Sequence, residues 1–153
     1  MKLIINSLEQ MNQLAGRLAD LAQPEDVYLL KGDLGAGKTT FSQFFGKALG
    51  VTKTINSPTF TIIKSYSGRI PFHHMDCYRL EDGDEDLGFD DYFYSEGVTL
   101  VEWPQMIEDF LPSNYLTLMI ERISDDSRQV TVTAQGEHYE KLLEALDDEV
   151  TSY

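Results

Sequence analysis

Apolar and polar positions along this chain change their period several times, and each change marks a predicted element. Residues 1–5 read as a short strand. Ser7, followed three residues on by Gln10, has the pattern of a capping box opening a helix. Leu8, Met11, Leu14, Ala15, Leu18 and Leu21 then recur at helical spacing until Pro24 ends the run. The unbroken apolar stretch Val27-Tyr28-Leu29-Leu30 predicts a buried strand, and a glycine-rich segment leads from it into a helix that Gly50 stops near residue 49. Residues 62–66 and 70–75 predict paired strands joined by Ser67-Gly68-Arg69. The aromatic-rich stretch 87–94 reads as a helix or a structured loop, and 98–101 as a short apolar strand. Two further strands, 115–122 and 129–134, flank Ser124-Asp125-Asp126-Ser127, and 138–150 forms an amphipathic helix with Tyr139, Leu142, Leu143 and Leu146 on one face. Strands alternate with helices early and follow one another later. The expected fold class is therefore α/β, a three-layer sandwich with a mixed, part parallel and part antiparallel, central sheet.

A length of 153 residues, with no repeat, low-complexity tract or linker, predicts one domain over 1–153. The longest apolar run falls well short of the roughly 20 residues that span a bilayer. The apolar start of the chain turns polar at Asn6, too soon for a signal peptide, and the single cysteine excludes an internal disulfide. A cytoplasmic protein with no membrane role is expected. The net charge of −14 is unevenly spread: residues 1–50 are balanced, whereas residues 51–153 carry 21 acidic against 7 basic side chains. Such a surface disfavours direct contact with nucleic acid, which depends on cationic groups displacing counterions. It suits a basic protein partner, or serves only solubility.

The candidate chemistry sits in the glycine-rich segment. Gly32-Asp33-Leu34-Gly35-Ala36-Gly37-Lys38-Thr39 fits the phosphate-binding pattern G-x-x-x-x-G-K-[ST], lying between a strand and a helix as that loop must. Its glycines let successive backbone N–H groups turn toward anionic oxygens. Lys38 reaches the β- and γ-phosphates as a point charge, and the Thr39 hydroxyl is placed for Mg²⁺. Thr40 continues into a helix start whose positive dipole end favours phosphate. Two carboxylates follow apolar strands in the placement of a metal-binding acid, Glu102 after 98–101 and Asp76 after 70–75; either can hold Mg²⁺ while the other orients a water. Thr59, in Ser57-Pro58-Thr59-Phe60, stands where such proteins sense the terminal phosphate, or else in a plain turn. Trp103 packs in the core by default or else stacks at a nucleotide or partner surface, and Cys77, His73 and His74 are read as structural. No N-K-x-D stretch supports guanine selectivity, and no arginine-rich lid supports a small-molecule kinase, which remains the alternative reading with Asp76 as base toward a metabolite hydroxyl.

Gly32 to Phe41, Ser57-Pro58-Thr59-Phe60, His74-Met75-Asp76-Cys77-Tyr78-Arg79-Leu80 and Val101-Glu102-Trp103-Pro104 occur in one order and spacing. In this the chain closely resembles the TsaE (YjeE) family of small bacterial P-loop ATPases, from Ser7 to about Arg128. The resemblance implies a P-loop NTPase fold that takes ATP and Mg²⁺ at Gly35, Ala36, Gly37, Lys38, Thr39 and Thr40, with Thr39 and Glu102 as metal ligands. It implies a catalytic or switch role for Asp76 and a first switch loop at Ser57-Pro58-Thr59. It also sets Ser7, Leu8 and Arg128 beside the adenine and the flank of the nucleotide. Family members support synthesis of threonylcarbamoyladenosine next to the anticodon of tRNA. They bind the TsaD–TsaB pair, and ATP turnover resets that transferase, so tRNA is met only through these partners. Cys77 departs from the family pattern, where a bulkier apolar residue is usual.

Overall fold

The computed structural model describes residues 1–33, 35–56, 62–78, 80 and 88–151, with the side chains of 149–151 excepted. Leu34, the Ser57-Pro58-Thr59-Phe60 stretch with Thr61, Arg79 and residues 81–87 lie outside the described residues. Among the described residues seven strands and four α-helices follow in the order β1 (Lys2–Ile5), α1 (Leu8–Leu21), β2 (Val27–Lys31), α2 (Lys38–Ala48), β3 (Ile63–Tyr66), β4 (Phe72–Asp76), α3 (Phe89–Phe93), β5 (Val98–Glu102), β6 (Tyr115–Arg122), β7 (Arg128–Gln135) and α4 (Glu137–Thr151). A 3₁₀ segment, Pro104–Phe110, leaves the end of β5.

The strands form one mixed sheet in the order β1-β7-β6-β2-β5-β4-β3. β2 pairs in parallel with β5 and β6, and β5 in parallel with β4, so phosphate-loop chemistry sits on a parallel centre. The flanking pairs β3–β4, β6–β7 and β1–β7 are antiparallel. Period-two alternation divides each central strand between two cores. Tyr28, Leu30, Phe72, Val98 and Leu100 pack with α1, α2 and α4 on one face. Val27, Leu29, Met75, Cys77 and Val101 pack with α3 and the 3₁₀ segment on the other.

Local chemistry explains the element ends. The Ser7 hydroxyl accepts from the Gln10 N–H at 3.1 Å, and the Gln10 side chain accepts from the Asn6 N–H at 2.7 Å, one residue before the usual partner of a capping box. Leu8 does not join the buried stripe of α1; it sits in the first turn and is 69 % exposed. The strand predicted from residue 70 begins at Phe72, because Pro71 has no N–H for a ladder. The 3₁₀ segment has no periodic signature and is not foreseen by the apolar pattern.

A polar node ties α4 to the start of β2. The buried Asp26 carboxylate accepts from the Tyr28 hydroxyl at 2.6 Å, the Gln23 N–H at 3.0 Å and His138 Nε2 at 2.7 Å, while the Val27 N–H donates to the Tyr139 hydroxyl at 2.8 Å. Burial, with Asp26 nearby, pushes the Tyr139 phenol up to about 12 from its ordinary 10.0, and raises Tyr28 as well. The folded state thus prefers both phenols protonated. The contribution of Tyr139 is complete below the unfolded value and is lost as the pH rises from about 10 through 12. Denaturant midpoints should therefore fall over that alkaline range, and Tyr139→Phe should flatten the fall when followed by circular dichroism.

Candidate active site

β2 ends against a loop that only glycine permits at its first position. Gly32 has φ 149°, and a Cβ there would lie 2.4 Å from the Ile120 carbonyl oxygen of the neighbouring strand. The loop closes at Gly37, φ 110°, which caps α2 without any side-chain hydrogen bond. Helix geometry leaves the first N–H groups of α2, at Lys38, Thr39 and Thr40, without intrahelical acceptors, and the helix dipole adds to them a positive potential. Lys38 itself is buried, 5 % exposed, with its ammonium donating to the Gly32 and Asp33 carbonyls at 2.5 and 2.8 Å. The same ammonium lies 4.3 Å over the Trp103 ring. Burial lowers its pKa, while Glu102, Asp33 and Asp76 pull the other way.

The second half of the site comes from β4 and β5. Their parallel register sets His74 against Leu100 and Asp76 against Glu102. Alternation then turns Phe72, His74, Val98, Leu100 and Glu102 to the α2 side of the sheet. Glu102 is 2 % exposed and surrounded by donors. Thr39 Oγ1 lies 3.2 Å from Oε1, while Ser42 Oγ at 3.1 Å and His74 Nε2 at 2.5 Å both meet Oε2. A carboxylate oxygen only accepts, so the proton of the short contact is on His74 Nε2. Asp76 is half-buried, and one of its oxygens accepts from the Tyr78 N–H at 3.1 Å.

Two cavities meet across the loop. One of about 320 Å³ is lined by Lys38, Thr39, Asp76, Tyr78, Glu102 and Trp103. The other, about 580 Å³, is bounded by Ser7, Leu8, Met11, Asp125 and Arg128, and both share Gly35, Gly37 and Thr40. Ser7, Leu8 and Arg128, far apart in sequence, are thus brought to one wall. The Arg128 guanidinium donates to the Ala36 carbonyl at 2.9 Å and to the Ser124 and Ser127 carbonyls at 2.8 and 3.0 Å, bracing the loop from this side.

Lys38, Thr39, Asp76 and Glu102 therefore converge as the sequence suggests, while Leu34 and Thr59 fall outside the described residues. Trp103 stands between its two expected places, packed against the second core yet open to the cavity. It takes a left-handed backbone, φ 58°, at the end of β5 and stands half-buried at the cavity mouth, its ring centroid 4.9 Å from that of Tyr78. Cys77 is structural as expected, its thiol pushed up to about 12 by burial. His73 lies between the Ser65 and Ser95 hydroxyls. His74 and Ser42 were missed as site residues. The available signal was spacing: Ser42 stands one helical turn beyond Thr39, and His74 two strand positions before Asp76.

Comparison with known proteins agrees with this architecture. A family model described as "Threonylcarbamoyl adenosine biosynthesis protein TsaE" matches residues 5–130. A tRNA threonylcarbamoyladenosine biosynthesis protein TsaE from Bacillus subtilis is 52 % identical over 139 residues, covering 90 % of this chain and 88 % of the relative. The protein of the same name from a Nostoc species is 38 % identical over 139 residues, covering 86 % and 85 %. Among solved structures, Bacillus subtilis YdiB superposes with a TM-score of 0.85 at 44 % identity, covering 97 % of this chain and 95 % of that one.

Proposed function

The chain belongs to the TsaE family, and from that membership in tRNA threonylcarbamoyladenosine biosynthesis we propose that it is a Mg²⁺-dependent ATPase that binds the TsaD–TsaB transferase pair and resets it by hydrolysing ATP. The observation that carries the reading is the meeting of Thr39 and Glu102, 3.2 Å apart, beside the open N-terminus of α2 and the Lys38 ammonium. The loop N–H groups and Lys38 hold the phosphates, Lys38 exchanging its two carbonyl acceptors for phosphate oxygens. The adenosine lies on the side of Ser7, Leu8 and Arg128.

The donor set fits Mg²⁺. Thr39 and Glu102 offer hard oxygens, and among the described residues there is no cluster of three or more His, Cys, Asp or Glu that would cage a metal unaided. An ion held by one or two protein oxygens and completed by phosphates and water is the usual arrangement for Mg²⁺. When bound, it neutralises charge developing on the β- and γ-phosphate oxygens. Asp76, half-buried on the same cavity, orients the attacking water, with Thr59 as a second group for that task.

Turnover by the isolated chain is slow in this reading. No arginine lines the phosphate cavity among the described residues, and Arg128 is committed to backbone carbonyls on the other side of the loop. A transition-state arginine contributes roughly 10³–10⁵ where one is present. The test is ATP hydrolysis by the purified protein, alone and with TsaD, TsaB and tRNA. Stimulation by the pair, lost in Lys38→Ala, is expected. A rate unmoved by the pair, with ADP released only when a small hydroxyl compound is added, would replace the reading with that of a metabolite kinase.

A further inference from the structure

We infer that His74 is a positioning residue for Glu102, holding one carboxylate oxygen so that the other, Oε1, is presented with Thr39 to the Mg²⁺ of a bound nucleotide. This rests on the ATPase reading above, which assigns Glu102 to the metal without saying what orients it.

The two oxygens of Glu102 are not equivalent. Oε2 meets His74 Nε2 at 2.5 Å and Ser42 Oγ at 3.1 Å, whereas Oε1, among the described residues, has one long contact, to Thr39 at 3.2 Å. Ser42 has one hydroxyl proton and a second acceptor within reach, the Lys38 carbonyl at 3.0 Å, so its donation is divided. His74 Nε2–H is the undivided donor. When Oε1 turns a lone pair toward a cation, its long contact to Thr39 no longer fixes it, and the orientation of the carboxylate then rests chiefly on Oε2. Without His74, the remaining Ser42 hydroxyl is free to turn to its backbone acceptor, and the carboxylate is free to rotate.

Packing alone does not account for an imidazole here. The ring is fully buried and stacks on Phe72, with centroids 5.9 Å apart and planes at 12°. Phenylalanine would fill that place without bringing polar atoms into the core. Nδ1 of His74 is buried with no hydrogen-bond partner among the described residues, an uncompensated cost that an apolar ring would avoid. What the imidazole adds over phenylalanine is the Nε2–H aimed at Glu102. Hydrogen bonds of this kind, one shell out from the ion, orient metal ligands and are commonly worth 10–100-fold in metal affinity.

The experiment is calorimetric titration of ADP into the full chain, in EDTA and over a series of Mg²⁺ concentrations, for wild type, His74→Phe and His74→Gln. In His74→Phe, affinity for ADP in EDTA should stay within about twofold, while Mg²⁺ affinity of the nucleotide complex falls about 10-fold or more. His74→Gln, whose amide N–H reaches about as far as Nε2, should recover most of that loss. Unchanged Mg²⁺ affinity in His74→Phe, or a glutamine variant as weak as the phenylalanine one, would overturn the proposal. Wild-type binding indifferent to Mg²⁺ would overturn it by removing the metal reading beneath it, leaving family membership untouched. A second measurement needs no substitution: the imidazole N–H resonance of His74 should report the Nε2–H tautomer and move when Mg²⁺ joins the ADP complex. The Nδ1–H tautomer, or a resonance that Mg²⁺ does not move, overturns the proposal equally.

Discussion

Glutamine in place of Glu102 is expected to lower ATP turnover by about 10²–10³-fold, the scale set by losing one preorganised electrostatic contact to the transferring group. The substitution keeps the volume of a side chain that is only 2 % exposed, so little packing is lost. It changes the polarity of one end. Thr39, Ser42 and His74 all approach Glu102 as donors, and an amide NH₂ either meets the His74 donor or makes Thr39 turn round to accept. The negative charge opposite the phosphate-side cation is also removed. Because phosphate contacts come mainly from the loop and Lys38, the KM for ATP should move far less than kcat. Partner-stimulated kinetics at saturating ATP measure this directly; turnover within tenfold of wild type would falsify the assignment of Glu102.

Phe72→Ala should carry the largest stability cost among single truncations near the site, about 3–5 kcal/mol. The ring is fully buried on β4, with centroids 5.5 Å from Phe45 and 5.9 Å from Tyr66, and it supports the plane of His74. α2 approaches it so closely that a Cβ at Gly46 would lie 2.8 Å from the Phe72 ring, so the helix backbone rests on this side chain. Against a total of roughly 5–15 kcal/mol for a domain, and about 2–4 °C per kcal/mol at this size, Tm should fall by about 10 °C. Thermal melts would measure it, with Leu8→Ala as a control. Leu8 is 69 % exposed, and its truncation should cost no more than about 0.5 kcal/mol. A fall in Tm as small as that of the control would show that β4 and α2 close over the lost ring.

The legible part of this protein was what is written locally. The phosphate loop, its strand and its helix lie within one continuous stretch, and the Ser7 cap and the β3–β4 hairpin depend on residues a few positions apart. The placement of Glu102 and Asp76 at strand ends was readable because each follows an apolar run. What escaped depends on register between strands distant in sequence. Nothing in His73-His74 says which ring meets a carboxylate 28 residues later; the pairing of Asp76 with Glu102 decides it, turning His74 toward α2 and His73 toward Ser65 and Ser95. Trp103 was left between core and surface for another reason. Its left-handed φ turns the chain sharply into the Pro104–Phe110 segment and leaves the ring at the cavity mouth, a backbone choice that hydrophobicity does not encode.

The pairing of β1 with β7 has a consequence for how the chain is made. Lys2 lies against Thr131 and Ile5 against Arg128, so β1 leaves the ribosome early and is docked only after the distant β7 has followed it. Until then α1 has no sheet edge at its start, and the cavity wall shared by Ser7, Leu8 and Arg128 does not exist. A ligand that needs that wall can stabilise the finished protein by mass action but offers nothing to a nascent chain. Stalling synthesis before residue 128 should therefore release a polypeptide that carries its whole phosphate loop and yet lacks one side of the pocket beside it.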